Sequence, residues 1–228
     1  MSNVVLAFLR HAKVPSHKGD MPLTEDSRAD IDAAIPRLKA LGGANARFVF
    51  LGTRTKRSRQ TAEILRQEID PTAPEVAAAF ALRNPDIHLA GSRVEMGSTA
   101  EFFAEQCEHL AMTPAAVMEH PFYRGFLQAP DRIEFWVHHE SPPGEDAAAV
   151  ARRILHFARS FRAAPEVAQG KRDLVVACVT HSPVMRAILI KGLGIRDPGE
   201  PGWVEEIVIR VGENEMSYSF RDSIGKIS

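Results

Sequence analysis

Short runs of consecutive apolar residues recur along the chain and predict the strands of a buried sheet. Residues 4–9 are Val-Val-Leu-Ala-Phe-Leu, and such an unbroken run is typical of a strand covered on both faces, as in a parallel sheet. Residues 47–51 and 173–180 carry two further runs of this kind. Residues 204–211 and 216–220 alternate apolar with polar positions, which predicts a hairpin of edge strands near the end of the chain.

Apolar residues at helical spacing lie between these strands. Residues 24–41 place apolar side chains three and four positions apart, and Gly42-Gly43 ends the pattern. The same period predicts helices over residues 56–69, 144–161 and 183–193. Strands that alternate with helices predict an α/β fold, arranged as a three-layer α/β/α sandwich around a mainly parallel sheet.

The stretch from about residue 84 to residue 143 breaks this regular alternation. It contains several prolines and glycines, and two helix-like pieces at residues 99–110 and 114–126 lie between them. We expect this stretch to be a cap inserted into a single domain that spans residues 1–228.

Three of the predicted strands lead into reactive side chains where they end. Arg10-His11 follows the first strand, residues 53–57 follow the second, and Thr180-His181 closes the later one. Ligands of open α/β sheets bind beyond the carboxyl ends of the strands, so we expect the three segments to converge on one cleft. Three basic groups would then surround that cleft.

Composition places the chain among ordinary globular proteins and narrows the choice of ligand. The 228 residues are 45% hydrophobic and 25% charged, so a full core can form without disulfides. The net charge of -1 does not indicate the strongly basic surface that nucleic-acid binding requires, so any positive potential has to be local to a pocket. Cys107 and Cys178 lack metal-ligand spacing and fit a reducing compartment. The apolar run at residues 4–9 is too short for a signal peptide or a membrane span, so we expect a cytoplasmic protein without membrane contact.

A phosphoryl group matches the residue types at these strand ends. Its charge is spread over several oxygens and needs forked donors, which the planar guanidinium of arginine supplies. A neutral imidazole that is held through one ring nitrogen can attack phosphorus with the other. An acid that protonates the leaving oxygen completes the requirement.

Four segments, in this order along the chain, resemble the histidine phosphatase superfamily, which is phosphoglycerate mutase-like. Leu9-Arg10-His11-Ala12 resembles its Arg-His signature, and residues 53–62 resemble its second motif, a Ser/Thr, an arginine four positions later, and then Gln-Thr-Ala. Gly144-Glu145-Asp146 is similar to its Gly-Glu-Ser segment, and Val179-Thr180-His181-Ser182 to its Thr/Ser-His motif. The resemblance spans most of the chain and implies phosphoryl chemistry on an α/β sandwich.

The resemblance assigns roles to the positions that match. It implies that His11 takes up the phosphoryl group and becomes a phosphohistidine. Arg10 and Arg57 then clamp the phosphate, and His181 stabilises the charge that develops on it. The reaction of the family uses no metal, and no other cofactor is expected. The weaker candidates for contact with the substrate are Thr53, His17 and Ser182.

The loop after His11 departs from the mutase pattern and favours a phosphatase. Many mutase-like members continue with Arg-His-Gly, whereas Ala12 and Lys13 follow here, and this run resembles the bacterial phosphohistidine phosphatase branch. The prediction is metal-independent hydrolysis of a small phosphorylated substrate, either a phosphomonoester or a phosphoramidate such as phosphohistidine. A phosphomutase and a catalytically weak phospho-ligand binding or scaffold protein stay open as alternatives, as does assembly into a homodimer.

The position of the proton donor also departs from the family pattern. Many members carry a glutamate after the third strand, within Leu-Arg-Glu or Leu-Asn-Glu, where this chain has Asn84. An amide has no proton that a leaving group can use. Asp86, two residues later, is the preferred general acid, and Glu95 and Glu101 are the alternatives. Each would need a pKa raised by burial to act near neutral pH.

Overall fold

Nine strands and eight α-helices make up the described part of the chain in this computed structural model, which covers residues 4–16, 19–43, 45–164 and 172–227. The strands are β1 (Val4–Arg10), β2 (Arg47–Gly52), β3 (Ala77–Ala78), β4 (Ile87–Leu89), β5 (Ser92–Val94), β6 (Leu174–Thr180), β7 (Glu206–Val211), β8 (Met216–Phe220) and β9 (Ser223–Ile227). The α-helices are α1 (Ser27–Lys39), α2 (Lys56–Ile69), α3 (Ala100–Glu105), α4 (Pro114–Glu119), α5 (Pro121–Gln128), α6 (Arg132–His138), α7 (Ala147–Ser160) and α8 (Ser182–Ala187). A π-helical segment, Ile188–Gly192, continues α8. Three short 3-10 turns cover Phe80–Leu82, Glu108–Leu110 and Phe161–Ala163.

Seven of the strands form one sheet in the order β3-β2-β6-β1-β7-β8-β9. Strands β3, β2, β6 and β1 run parallel, and β7, β8 and β9 extend the sheet as an antiparallel meander. In the register between β1 and β6, Arg10 lies opposite Thr180. The residues that follow these two positions, His11 and His181, therefore leave the sheet side by side.

Helices cover both faces of the sheet, which confirms the predicted three-layer α/β/α sandwich. Leu9 of β1 packs with Ile31 of α1 and Leu65 of α2 in one apolar cluster. The alternate side chains of β1, such as Phe8, belong to a second cluster that includes Ile154 of α7. Strands β1 and β6 are buried along their whole length because both of their faces are covered.

Residues 204–227 contribute three strands to the sheet, one more than the alternation of apolar and polar residues predicts. Strands β7 and β8 form the expected hairpin, with Val211 opposite Met216. A further strand, β9, pairs antiparallel with β8 and takes the edge position that we expected for β8. Its sequence, Ser-Ile-Gly-Lys-Ile, is short and carries a central glycine, so it gives little strand signal of its own.

The stretch between β3 and α7 is built from small elements. The β4–β5 hairpin leads into four short helices, α3 to α6. Aromatic rings join these helices, and the ring centroids of Phe103 in α3 and Tyr123 in α5 lie 4.8 Å apart. The helix predicted over residues 99–110 ends early, and the one over residues 114–126 is divided where Pro121 begins α5. That this stretch acts as a cap stays a prediction.

Gly144 joins this stretch to α7. Its backbone has a φ of +140°, and a Cβ at this position would collide with the carbonyl oxygen of Asp86, so the close approach of the two segments requires glycine. Helix α7 begins three residues later, where the Asp146 side chain accepts a hydrogen bond from the Ala149 N–H at its N-cap. Within the described ranges, none of the helices has the length and apolar character that a membrane crossing requires.

Candidate active site

Two histidines meet at the carboxyl edge of the sheet. His11 follows β1 and His181 follows β6, and the His11 N–H donates to the Thr180 carbonyl at 3.0 Å, which extends the strand pairing by one residue. The ring centroids of the two histidines lie 5.3 Å apart. Each histidine is 2% exposed. The structure thus brings the ends of β1 and β6 together, as the parallel sheet predicts.

The His11 ring is held in the tautomer that a nucleophile needs. Its Nδ1 lies 2.8 Å from the carbonyl oxygen of Ala12. A carbonyl oxygen only accepts, so Nδ1 must carry the hydrogen, and in the neutral ring the lone pair is then on Nε2. The backbone N–H of Ala12 in turn donates to the Thr61 hydroxyl at 3.0 Å, which ties the residue after His11 to α2.

Two buried guanidinium groups lie beside the histidines. Arg10 and Arg57 are each 7% exposed. Burial lowers the pKa of both, while the negative charge of Glu200 acts against this shift at Arg10 and that of Asp20 does so at Arg57. The Nε of each arginine has no hydrogen-bond partner in the part of the chain that the structure describes. Two buried cations that each keep an unused donor favour an anion as their ligand.

The turn after β2 supports His181. Thr53 Oγ1 lies within hydrogen-bond distance of His181 Nε2, at 3.2 Å. The Thr53 N–H donates to the Ser58 hydroxyl at 2.8 Å, and this hydroxyl donates to the Val179 carbonyl at 2.8 Å. These bonds tie the turn to β6 and fix Thr53 against the ring of the second histidine.

A cavity of about 550 Å³ opens beside these side chains. Its wall also includes Ser182, the first residue of α8, and side chains of the stretch between β3 and α7, such as Met96 and Ile133. Four of the residues predicted to handle a phosphoryl group share this wall, namely Arg10, His11, Arg57 and His181.

A second cavity of about 450 Å³ adjoins the first. The two cavities share His181 and Asn84 in their walls. Thr53, predicted to contact the substrate, lines the second cavity. His17, the remaining predicted contact, lies outside the described residues.

No protein-family profile and no curated protein sequence matches the chain. Among solved structures it is similar to YhfR from Bacillus stearothermophilus, with a TM-score of 0.58 and 18% identity over 97% of this chain and 98% of that one. It is also similar to a mycobacterial glucosyl-3-phosphoglycerate phosphatase, with a TM-score of 0.56 and 17% identity over 99% and 96% of the two chains. A phosphoglycerate mutase from Bacillus anthracis gives a TM-score of 0.58 and 13% identity over 96% and 92%.

The chain has the histidine phosphatase fold. The resemblance carried by the four sequence segments is therefore confirmed at the level of the fold. Identities of 13% to 18% show a shared fold alone, so the reaction has to be argued from the site. The closer likeness to the phosphohistidine phosphatase branch stays a prediction.

The surroundings of Asp86 in this histidine phosphatase fold do not favour our preferred assignment of its carboxyl group as the general acid, which stays a prediction. Its carboxylate accepts hydrogen bonds from Arg83 and Arg93. Partial burial acts to raise the pKa of Asp86, but these two arginines outweigh it and lower the pKa to about 2. The carboxylate is therefore ionised at neutral pH and has no proton to donate. It also lines the second cavity and is absent from the wall beside His11.

The two alternative carboxylates are not in the wall beside His11 either. Glu95 lines the second cavity, where it forms an ion pair with Arg93 at 2.8 Å. Glu101 is exposed in the first turn of α3 and lines neither cavity. Asn84 lines both, and its buried Oδ1 has no hydrogen-bond partner among the described residues. The position at which many family members carry glutamate thus lies in the site but holds an amide.

Sequence reasoning missed the loop between α8 and β7. Trp203 covers the Arg10 guanidinium, with 3.6 Å between the guanidinium carbon and the ring centroid, and its ring lies 5.5 Å from that of His11. Glu200 forms an ion pair with Arg10 at 2.9 Å. The only available signal was a glutamate and a tryptophan within a segment rich in proline and glycine, residues 197–203. Nothing in the sequence of that segment indicates that it packs on Arg10, which lies nearly two hundred residues earlier in the chain.

One group of possible metal ligands occurs within the described ranges. Glu134, His138 and Asp197 each offer a ligand atom, and these atoms lie within 4.8 Å of one another. None of the three lines either cavity. The wall beside His11 is rich in arginine, which does not favour a bound metal ion there. A metal-free reaction stays a prediction.

Proposed function

We propose that this protein is a phosphatase that hydrolyses a phosphomonoester, or a phosphoramidate such as phosphohistidine, through a phosphohistidine on His11. The observation that supports it is the shared cavity wall in which His11, His181, Arg10 and Arg57 meet. The two arginines favour an anion, and the ring of His11 presents Nε2 as its nucleophilic nitrogen.

The proposed reaction has two steps. Nε2 of His11 forms a bond to phosphorus while the bond from phosphorus to the leaving oxygen or nitrogen breaks. Arg10, Arg57 and His181 stabilise the charge on the remaining oxygens. The oxygen of a water molecule then forms a bond to phosphorus while the nitrogen–phosphorus bond breaks, which releases inorganic phosphate and restores the neutral ring of His11. The proton that this water loses to solvent balances the proton that the departed leaving group takes from solvent.

The leaving group receives little help from the protein in this proposal. Asn84 has no acidic proton, and the low pKa of Asp86 keeps that side chain ionised. The two carboxylates in the wall beside His11, Glu200 and Asp131, are each paired with an arginine. If none of the carboxyl groups in the described residues acts as the acid, the rate depends strongly on how well the leaving group carries its own charge. We therefore propose substrates with good leaving groups, such as aryl phosphates and phosphoramidates, ahead of simple alkyl phosphates.

The test is turnover of p-nitrophenyl phosphate without added metal and with excess chelator. We expect the wild type to be active and the His11→Ala variant to lose activity by roughly a thousandfold or more. His156→Ala is the matched control, because His156 is exposed on α7, away from both cavities. Turnover that survives in His11→Ala would contradict the proposal, and so would turnover that the chelator abolishes.

A phospho-ligand binding protein is the second candidate, because Asn84 fills the place of a proton donor and the low pKa of Asp86 disfavours it as a replacement. Such a protein would bind inorganic phosphate in calorimetry and hydrolyse no phosphate ester at any pH tested.

A protein that acquires a phosphoryl group on His11 and passes it to an acceptor instead of water would be a phosphomutase.

A further inference from the structure

The carboxylate of Glu200 bridges Arg10, which is predicted to clamp the phosphoryl group, and Ser182, which is predicted to contact the substrate. One oxygen, Oε1, lies 2.9 Å from Nη2 of Arg10. The other, Oε2, accepts a hydrogen bond from the Ser182 hydroxyl at 2.6 Å. Glu200 also lines the cavity beside His11. An anion with two oxygens thus lies between a guanidinium group and a hydroxyl group, as a bound phosphoryl group would.

The loop that carries Glu200 supplies the other contacts of the Arg10 guanidinium. Nη1 donates to the Pro201 carbonyl at 2.6 Å, and the Trp203 ring covers the guanidinium face. Neither of these two partners carries a net charge. Glu200 is therefore the partner of Arg10 that repels an incoming anion, at contact distance from the cation that the anion needs.

Glu200 differs in this respect from the other acidic residue of the cavity wall. Asp131 binds the buried Arg186 and accepts hydrogen bonds from the N–H groups of Ile133 and Glu134 at the start of α6. The negative charge of Asp131 is thus held by contacts within the fold. The Glu200 side chain is 45% exposed, so it can rotate into solvent when another anion takes its place.

We propose that Glu200 is a specificity-determining internal anion, which competes with the phosphoryl group for Arg10 and Ser182. The proposal rests on the proposed function, because it takes the wall beside His11 as the phosphoryl site. A doubly charged phosphoryl group gains more from two buried guanidinium groups than a carboxylate with one charge does, so it displaces Glu200. Ligands with a single charge gain less and are discriminated against.

The test compares the binding of inorganic phosphate to wild type and Glu200→Gln by isothermal titration calorimetry near neutral pH. Glutamine keeps an oxygen for the Ser182 hydroxyl and removes the charge. We expect about tenfold tighter binding, equal to about 1.4 kcal/mol, and a parallel fall in the KM for p-nitrophenyl phosphate. Glu206→Gln is the control for the loss of one negative charge, because the Glu206 carboxylate pairs with Arg37 instead, and we expect its affinity to stay within about twofold of wild type.

Unchanged, weaker or absent phosphate binding by Glu200→Gln would overturn the proposal. Weaker binding would instead identify Glu200 as a positioning residue that aligns Arg10. Thermal unfolding checks that each variant is folded, and Glu200→Ala gives a second variant for which we expect the same direction. Calorimetry requires no turnover, so tighter binding supports the role of Glu200 even where the His11→Ala experiment rejects the reaction.

Discussion

At the scale of single residues, ion pairs decide which carboxylates can act in the site. Asp86 was the natural candidate for a general acid by its place in the sequence, but the sequence does not show which partners a side chain meets. Arg83 is three residues away, whereas Arg93 reaches Asp86 only because the β4–β5 hairpin returns the chain. His11, by contrast, follows β1 directly, so its place at the edge of the sheet is fixed by the strand itself, and it lines the first cavity.

Replacement of Asp86 by asparagine should destabilise the fold in a manner that depends on pH. The folded-state pKa of about 2 lies below the ordinary aspartate value. The carboxylate therefore stabilises the fold fully above about pH 4, and this contribution is lost as the pH falls through the folded-state pKa. We expect Asp86→Asn to lower the free energy of unfolding by about 1–2 kcal/mol at neutral pH, and by about half as much near pH 3.

Urea unfolding at the two pH values measures this difference. Glu213→Gln is the control, because Glu213 is exposed in the turn between β7 and β8, and its effect should stay within about 0.5 kcal/mol. A loss for Asp86→Asn that is equal at both pH values would show that the ion pairs with Arg83 and Arg93 are not its cause.

At the scale of elements, one buried arginine joins three parts of the site. Arg186 of α8 is 1% exposed and donates to Asp131 at the start of α6 at 2.6 Å, and it also binds Asp197 at the start of the Glu200 loop. A buried cation with two carboxylate partners holds α8, α6 and the loop in one arrangement. Removal of the cation leaves both carboxylates in place without their counter-charge.

We therefore expect Arg186→Met to lower the free energy of unfolding by about 2–3 kcal/mol. Arg196→Met tests the loss of an exposed arginine from the neighbouring segment, and its effect should stay within about 0.5 kcal/mol. Chemical denaturation of the two variants beside wild type decides the point. Equal stability of Arg186→Met and Arg196→Met would contradict this role for the arginine.

The elements that the sequence predicted are those with a strong local pattern. The continuous apolar runs became β1, β2 and β6. Strands β1 and β6 are buried along their whole length, which favours apolar residues on both faces. Helix α6 and strand β9 were missed because both are short. Helix α6 has 7 residues and β9 has 5, too few for a clear helical or alternating pattern of apolar positions. Their places are set by what they pack against.

At the scale of the whole molecule, parallel strand pairing explains why the site could be anticipated. Any two parallel neighbours place their carboxyl ends at one edge, so Arg10, His11 and His181 had to meet once β1 and β6 were adjacent. The loop of residues 197–203 closes over Arg10 through contacts far apart in sequence. Such contacts depend on the path of a whole loop, which no local pattern determines.

The central claim is a phosphoryl group on His11, and mass spectrometry of the trapped intermediate tests it most directly. Wild type and His11→Ala are mixed with p-nitrophenyl phosphate, quenched in alkali, digested and searched for phosphorylated peptides. The account predicts one phosphoryl group on His11 that is stable in alkali, lost in acid and missing from His11→Ala. A phosphoryl group on Ser182 or on any residue other than His11, or turnover with His11 never modified, would contradict it.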